Sequence, residues 1–228
     1  MVKNQKTLKI HQKIPDIILA LFQKIPGSKL NAQDLRVLTT ILNDSWKTNI
    51  TPETMKQRLN SGSLFIIAKD LATDKDLKYL KQRLAPPINS PTIPVGIIET
   101  IDSKTGGNYN KVPKNYSALT KKGLWKPQTS KSDTLILVDA TILSTRKGKN
   151  LGRKMMAYTL KNITKPHKYL WTYTPNIEKV KRWHESLGAK NTNHIIKQAR
   201  PEFIYSDVNI MSYPVQQRNL YKDTKISH

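Results

Sequence analysis

The sequence predicts an α/β fold, a sheet with helices on its faces, entered through a helical N-terminal region. Two observations carry this. Apolar residues first recur at helical spacing and then give way to short continuous apolar runs, and from residue 133 onward such runs alternate with amphipathic stretches. The chain of 228 residues, 37% hydrophobic, is long enough to bury a core of that kind.

The first expected helix opens at Pro15 and Asp16, carries Ile17, Ile18, Leu21 and Phe22 on one face, and closes at Pro26 and Gly27. Asn31 is placed to cap a second, whose stripe is Leu35, Val37, Leu38, Ile41 and Leu42. Thr51 followed by Pro52 signals a third, with Met55 and Leu59 inward and a stop at Ser61 and Gly62. Residues 63–69, 93–101 and 133–143 are apolar runs bounded by turn residues and read as strands. A polar, Lys-rich connection with Pro86 and Pro87 joins the first two strands. A stretch over 103–132, long for a structureless loop, joins the next two and reads as either mobile or functional.

After strand 133–143 a helix is expected over 151–162, using Leu151, Met155, Met156, Tyr158, Thr159 and Ile163. A strand over 168–173, a helix over 175–187 ended by Gly188, and one or two strands within 203–213 follow.

Composition narrows the function. There is no cysteine, which excludes disulfides, thiolate metal sites and a cysteinyl acyl intermediate. The net charge of +23 attracts polyanions and phosphorylated ligands without choosing among them. No apolar run approaches a membrane span, so the reading is a cytoplasmic protein without membrane association. The densest charge falls at residues 146–154, five cations in nine residues, where a strand ends and a helix begins. Free N–H groups of a first helical turn, a positive helix dipole and flanking glycines suit that junction to phosphate. Neither GxxxxGK(S/T) nor GxGxxG is present, so it is not a Walker A loop or a dinucleotide fingerprint.

Lys147, Gly148, Lys149, Asn150, Leu151 and Gly152 resemble motif A of the GNAT superfamily of acyl-CoA-dependent N-acetyltransferases, (Gln or Arg)-x-x-Gly-x-(Gly or Ala). Lys147 replaces Arg or Gln, and Asn150 replaces a glycine; Asn is the residue after glycine that best accepts a left-handed backbone. Residues 175–189 are similar to a second family segment, the helix that ends in Leu-Gly. Counting back from Gly188 puts His184 at the family's acid position, whereas counting forward from Asn176 puts Trp183 there.

The resemblance spans about residues 50–213 and implies a GNAT-like mixed, mostly antiparallel central sheet flanked by helices. It divides the chain into a helical N-terminal extension, 1–50, packed on a GNAT-type domain, 51–228. The implied reaction moves an acetyl group from acetyl-CoA, as co-substrate and without a metal, to a primary amine of a small molecule or peptide. Transfer is direct within a ternary complex.

By the same resemblance, backbone groups of Ala140, Thr141 and Ile142 hold the pantetheine arm, Lys147 to Arg153 surround the pyrophosphate, and Asn176 faces the cofactor. His184 is the candidate acid toward the thiolate. The position at which some members carry a base is here the apolar Ile136, so Asp139 and Glu99 are the nearest candidate carboxylates. The alternative is a basic nucleic-acid- or protein-binding module with the same fold and no catalysis. Trp46, Trp125, Trp171 and Trp183 are its stacking groups, although no RNP, KH or zinc-finger pattern accompanies them.

Overall fold

The computed structural model describes residues 18–23, 30–61, 64–84, 88–114, 120–121, 124–125, 132–162, 167–199 and 207–215. Seven strands form one sheet: β1 (Ile18–Gln23), β2 (Leu64–Leu71), β3 (Thr92–Ser103), β6 (Thr134–Ile142), β7 (Tyr169–Pro175), β8 (Lys190–Ile196) and β9 (Val208–Tyr213). Their order is β1-β2-β3-β6-β7-β9-β8, antiparallel throughout except for the β6–β7 pair. A separate two-stranded hairpin, β4 (Thr120–Lys121) with β5 (Leu124–Trp125), lies against a helix of the first face. Most of the rest of the 103–132 stretch beyond residue 114 falls outside the described residues.

The helices are α1 (Ala32–Trp46), α2 (Pro52–Ser61), α3 (Asp74–Lys81), α4 (Leu151–Asn162) and α5 (Glu178–Glu185). Local signals explain their starts. The Asn31 side chain accepts from the Asp34 N–H at 2.7 Å, and Thr51 Oγ1 accepts from the Thr54 N–H at 3.1 Å ahead of Pro52. Leu38, Leu42, Met55 and Leu59 of α1 and α2 pack with Phe65, Ile67, Ile97 and Val138 on one face of the sheet. Leu80 of α3 and Leu151, Met155, Met156 and Leu160 of α4 pack with Ile66, Ile98 and Leu137 on the other. Gly96 sits where a Cβ would come within 2.6 Å of Met155 Sδ, so the missing side chain lets α4 approach the sheet.

Three expectations change. Residues 18–23 form an edge strand on β2 rather than a helix, because a six-residue apolar run carries too little period to distinguish the two and β2 offers a row of backbone partners. The N-terminal region is therefore part strand, and it shares both sheet and core with the rest of the chain. Helix α3 occupies what reads as a mere connection. Its signal is a capping box: Thr73 Oγ1 accepts from the Asp76 N–H while Asp76 accepts from the Thr73 N–H. The helix expected over 175–187 is the shorter α5, and Gly188 follows it at φ 88°.

Candidate functional site

Parallel pairing of β6 with β7 runs from Thr134 and Tyr169 to Leu137 and Thr172 and stops there, although both strands continue. The cause lies on β6. Glu99 pairs with Asp139 and Thr100 with Leu137, so Val138 is an extra residue, a bulge that turns the strand away from its parallel neighbour. The two strand ends splay and leave backbone groups of 140–142 facing a slot.

A cavity of about 760 Å³ occupies that slot. The upper ends of β6 and β7, the 147–153 segment, α5 and the C-terminal end of α1 line it. Ala140, Thr141, Ile142, Lys147, Gly148, Asn150, Leu151, Gly152 and Arg153 all lie in its wall. Lys149 and Asn176 do not. The Asn176 N–H donates to the Asp207 carbonyl at 3.1 Å, which uses its backbone to seat the start of β9.

The loop before α4 holds two residues in the left-handed region, Gly148 at φ 81° and Asn150 at φ 56°. Nothing stands within 4 Å of a Cβ built on Gly148, so its requirement is conformational rather than steric. Positive-φ residues at alternate positions, ahead of a helix whose N-terminal dipole is positive, make a backbone arrangement suited to an anion. Lys147, Arg153 and Lys179 line the same cavity. Arg153 reaches across to α5, donating from Nη1 to the Ser186 carbonyl at 3.2 Å and from Nη2 to Ser186 Oγ at 3.1 Å. Arg146 belongs elsewhere: it is buried and bound to Asp70 and Asp76, and of the five cations in the dense run only Lys147 and Arg153 line the cavity.

His184 and Trp183 both line the cavity, so the two ways of counting along α5 each find a wall residue. The His184 ring is 5% exposed, its Nδ1 lies 2.7 Å from the Tyr213 hydroxyl, and burial pushes its pKa down to about 4. Burial therefore favours the uncharged imidazole, held against the Tyr213 hydroxyl in the cavity wall. Glu99 and Asp139, the candidate bases, are register partners on β3 and β6 and are 0% and 3% exposed. Neither forms part of the cavity wall, and Arg58 Nη1 stands 3.8 Å from Glu99 Oε2. They are buried inside the fold, not poised in the cavity.

The opposite wall comes from residues that no motif flagged. Asp44, Ser45, Trp46 and Lys47 at the end of α1 line the cavity, with Lys47 itself left-handed at φ 56°. Ser45 and Thr141 share a hydrogen bond between hydroxyls, which ties α1 to β6. Asp44 accepts from the Tyr79 hydroxyl and from Arg83 Nε at 3.0 Å, so its charge is already matched. Tyr173 of β7 also lines the cavity and donates to the Pro113 carbonyl, which brings the described part of the 103–114 segment against the wall. Of the Trp side chains described, Trp46 and Trp183 line the cavity and Trp171 is 3% exposed in the core; that of Trp125 lies outside the described residues.

With this geometry in hand, comparison with solved structures is decisive for the fold. The loading GNATL domain of CurA from Lyngbya majuscula matches at TM-score 0.54 and 16% identity, covering 88% of this chain and 99% of that domain. Arabidopsis thaliana NAA60 in complex with acetyl-CoA matches at TM-score 0.55 and 8% identity, over 86% and 99% of the two chains. The same enzyme with a bisubstrate analogue gives 0.51 and 10%, over 86% and 98%.

The chain has the GNAT fold. No protein-family model and no curated protein matches the sequence. In the GNAT fold of this chain the splayed β6–β7 pair, the left-handed loop and α5 form one continuous wall. Among the described residues no helix is long and apolar enough to cross a membrane.

Proposed function

We propose that the protein is an N-acetyltransferase that binds acetyl-CoA in the β6–β7 slot and passes the acetyl group directly to a primary amine of a small molecule or peptide. The observation that carries this reading is the left-handed loop at Gly148 and Asn150, which lines a cavity that continues between two strand ends not paired with each other. The loop contains no carboxylate, and Lys147, Arg153 and Lys179 line the same cavity, so its chemistry fits a pyrophosphate. Backbone groups of Ala140, Thr141 and Ile142 would hold the pantetheine arm, and Trp183, packed 3.4 Å from where a Gly152 Cβ would stand, walls the channel.

Acetyl-CoA supplies the activated acyl group as a thioester. The chain supplies position and exclusion of water: Ile98, Leu137, Ile142 and Met155 make the base of the slot apolar. His184, uncharged, serves as a hydrogen-bonding wall group paired with Tyr213. The amine arrives from the side of Lys47 and Tyr173 and must be neutral to attack. Its excess proton leaves to water at the open mouth, since Glu99 and Asp139 lie outside the cavity wall.

Calorimetry with acetyl-CoA, followed by free-thiol release over a panel of amines, tests the reading. Micromolar binding and amine-dependent thiol release are expected. Binding of DNA or RNA with a steep salt slope, and none of acetyl-CoA, would replace it with the nucleic-acid alternative.

A further inference from the structure

Behind the anion loop lies a buried ionic cluster that the proposed chemistry does not use. Asp76 is 0% exposed, and its two oxygens accept from the Thr73 N–H (2.9 Å), Thr73 Oγ1 (2.7 Å), Thr145 Oγ1, Arg146 Nε (3.0 and 3.2 Å) and Arg146 Nη2 (2.6 Å). Arg146 also donates from Nη1 to Asp70 Oδ2 at 2.9 Å and from Nη2 to the Leu71 carbonyl at 2.6 Å. The Asp76–Arg146 pair thus joins three pieces of backbone: the start of α3, the end of β2, and the two residues that lead into the 147–152 loop.

Such a cluster is a costly way to gain stability, because buried ions lose hydration that apolar side chains of the same size would not. Its position offers a reason to keep it. The next four residues along the chain are Lys147, Gly148, Lys149 and Asn150, and Asn150 holds a left-handed backbone at φ 56° that a residue with a side chain seldom keeps. Burial pushes the Asp76 carboxyl up, but the hydrogen bonds from Arg146, Thr145 and Thr73 outweigh it and hold the pKa below the usual carboxylate range. The clamp therefore stays charged and closed across the neutral range.

We propose that Asp76 is a positioning residue for phosphate binding: through Arg146 and Thr145 it holds the 147–152 loop in its anion-accepting shape before the ligand arrives. The identity of the ligand, the CoA pyrophosphate, rests on the function proposed above; the loop's shape does not. When loosening leaves the competent shape in about one molecule in ten, the ligand binds about tenfold more weakly.

Two variants test this, Asp76→Asn and Thr145→Val. The second leaves the Arg146 ion pairs intact, so it reports even where the first does not fold. Calorimetry should show the Kd for CoA rising about tenfold in Asp76→Asn and by a smaller factor in Thr145→Val. Pantetheine, which lacks the pyrophosphate, should bind both variants as it binds the wild type when titrated by NMR. Equal losses for the two ligands would mean a general loosening and overturn the proposal, as would an unchanged CoA affinity in both variants.

A separate readout divides this proposal from the CoA reading. In the ligand-free protein the amide signals of Gly148 and Asn150 should be single and sharp, and broadened or doubled in the variants. Unaltered amides overturn the positioning role whatever binds. A wild type blind to CoA, combined with broadened variant amides, supports the clamp and retires the CoA reading alone.

Discussion

His184 makes stability depend on pH in a calculable way. In the folded protein burial lowers its pKa from 6.5 to about 4. Between those values the unfolded chain holds a proton at this site that the native state does not, so native stability rises with pH there. The contribution is fully present above pH 6.5, drains as pH falls toward about 4, and changes no further below that. At about 1.4 kcal/mol per pH unit the total is about 3 kcal/mol, a large share of a typical domain's stability.

Urea unfolding of the wild type and of His184→Phe, at half-unit steps between roughly pH 7.5 and 4.5, measures it. The phenyl ring leaves the Tyr213 hydroxyl without its partner, an offset of about 1–3 kcal/mol that does not vary with pH over this window. Every other titrating group is common to both proteins and cancels in the difference. The stability of the wild type relative to the variant should therefore fall by about 2–3 kcal/mol as pH drops from roughly 7.5 to 4.5, closing or reversing the initial gap. Curves that stay parallel would refute the burial argument and return an imidazolium at His184 to contention as the acid.

Further outcomes follow from single contacts. Gly148→Ala forces a Cβ into a left-handed residue and should cost about 1–2 kcal/mol in a thermal melt as well as weakening CoA binding, whereas Asn150→Gly should leave both near wild type. Gly152→Asp sets a carboxylate beside Trp183 in the cavity wall, and calorimetry should detect no CoA binding. Tyr173→Phe removes the hydrogen bond to the Pro113 carbonyl, about 1 kcal/mol, and should shift preference across an amine panel while the Kd for CoA holds. Leu38→Ala, at a fully buried position of α1, should lower unfolding stability by about 2–5 kcal/mol with the same denaturant slope.

What could be read along the chain was local. Asn31 and Thr51 cap helices through hydrogen bonds spanning three residues, and β2, β3 and β6 are apolar runs between turn residues, whereas the polar β8 carries no such signal. Asn150 could be read as the stand-in for a family glycine because left-handed tolerance is a property of the residue itself, and the structure gives it φ 56°. The capping box at Thr73 and Asp76 is equally local, a helix start inside a polar, Lys-rich stretch.

Other features depended on distant meetings. Ile18–Gln23 is a strand because β2 stands beside it, not because of its own period. Arg146, one cation among five in sequence, leaves the anion site because Asp76 lies 70 positions earlier and reaches it first. The α1 wall at Ser45 meets Thr141 across 96 positions. Burial, which is a property of the assembled core, makes His184 neutral and keeps Glu99 and Asp139 out of the cavity wall. Residue types and near-neighbour spacing thus established an α/β chain with a phosphate-suited junction. Which charges face that junction, and which are consumed in holding it, was decided by packing, because a charge's partner and its dielectric surroundings exist only once the chain has folded.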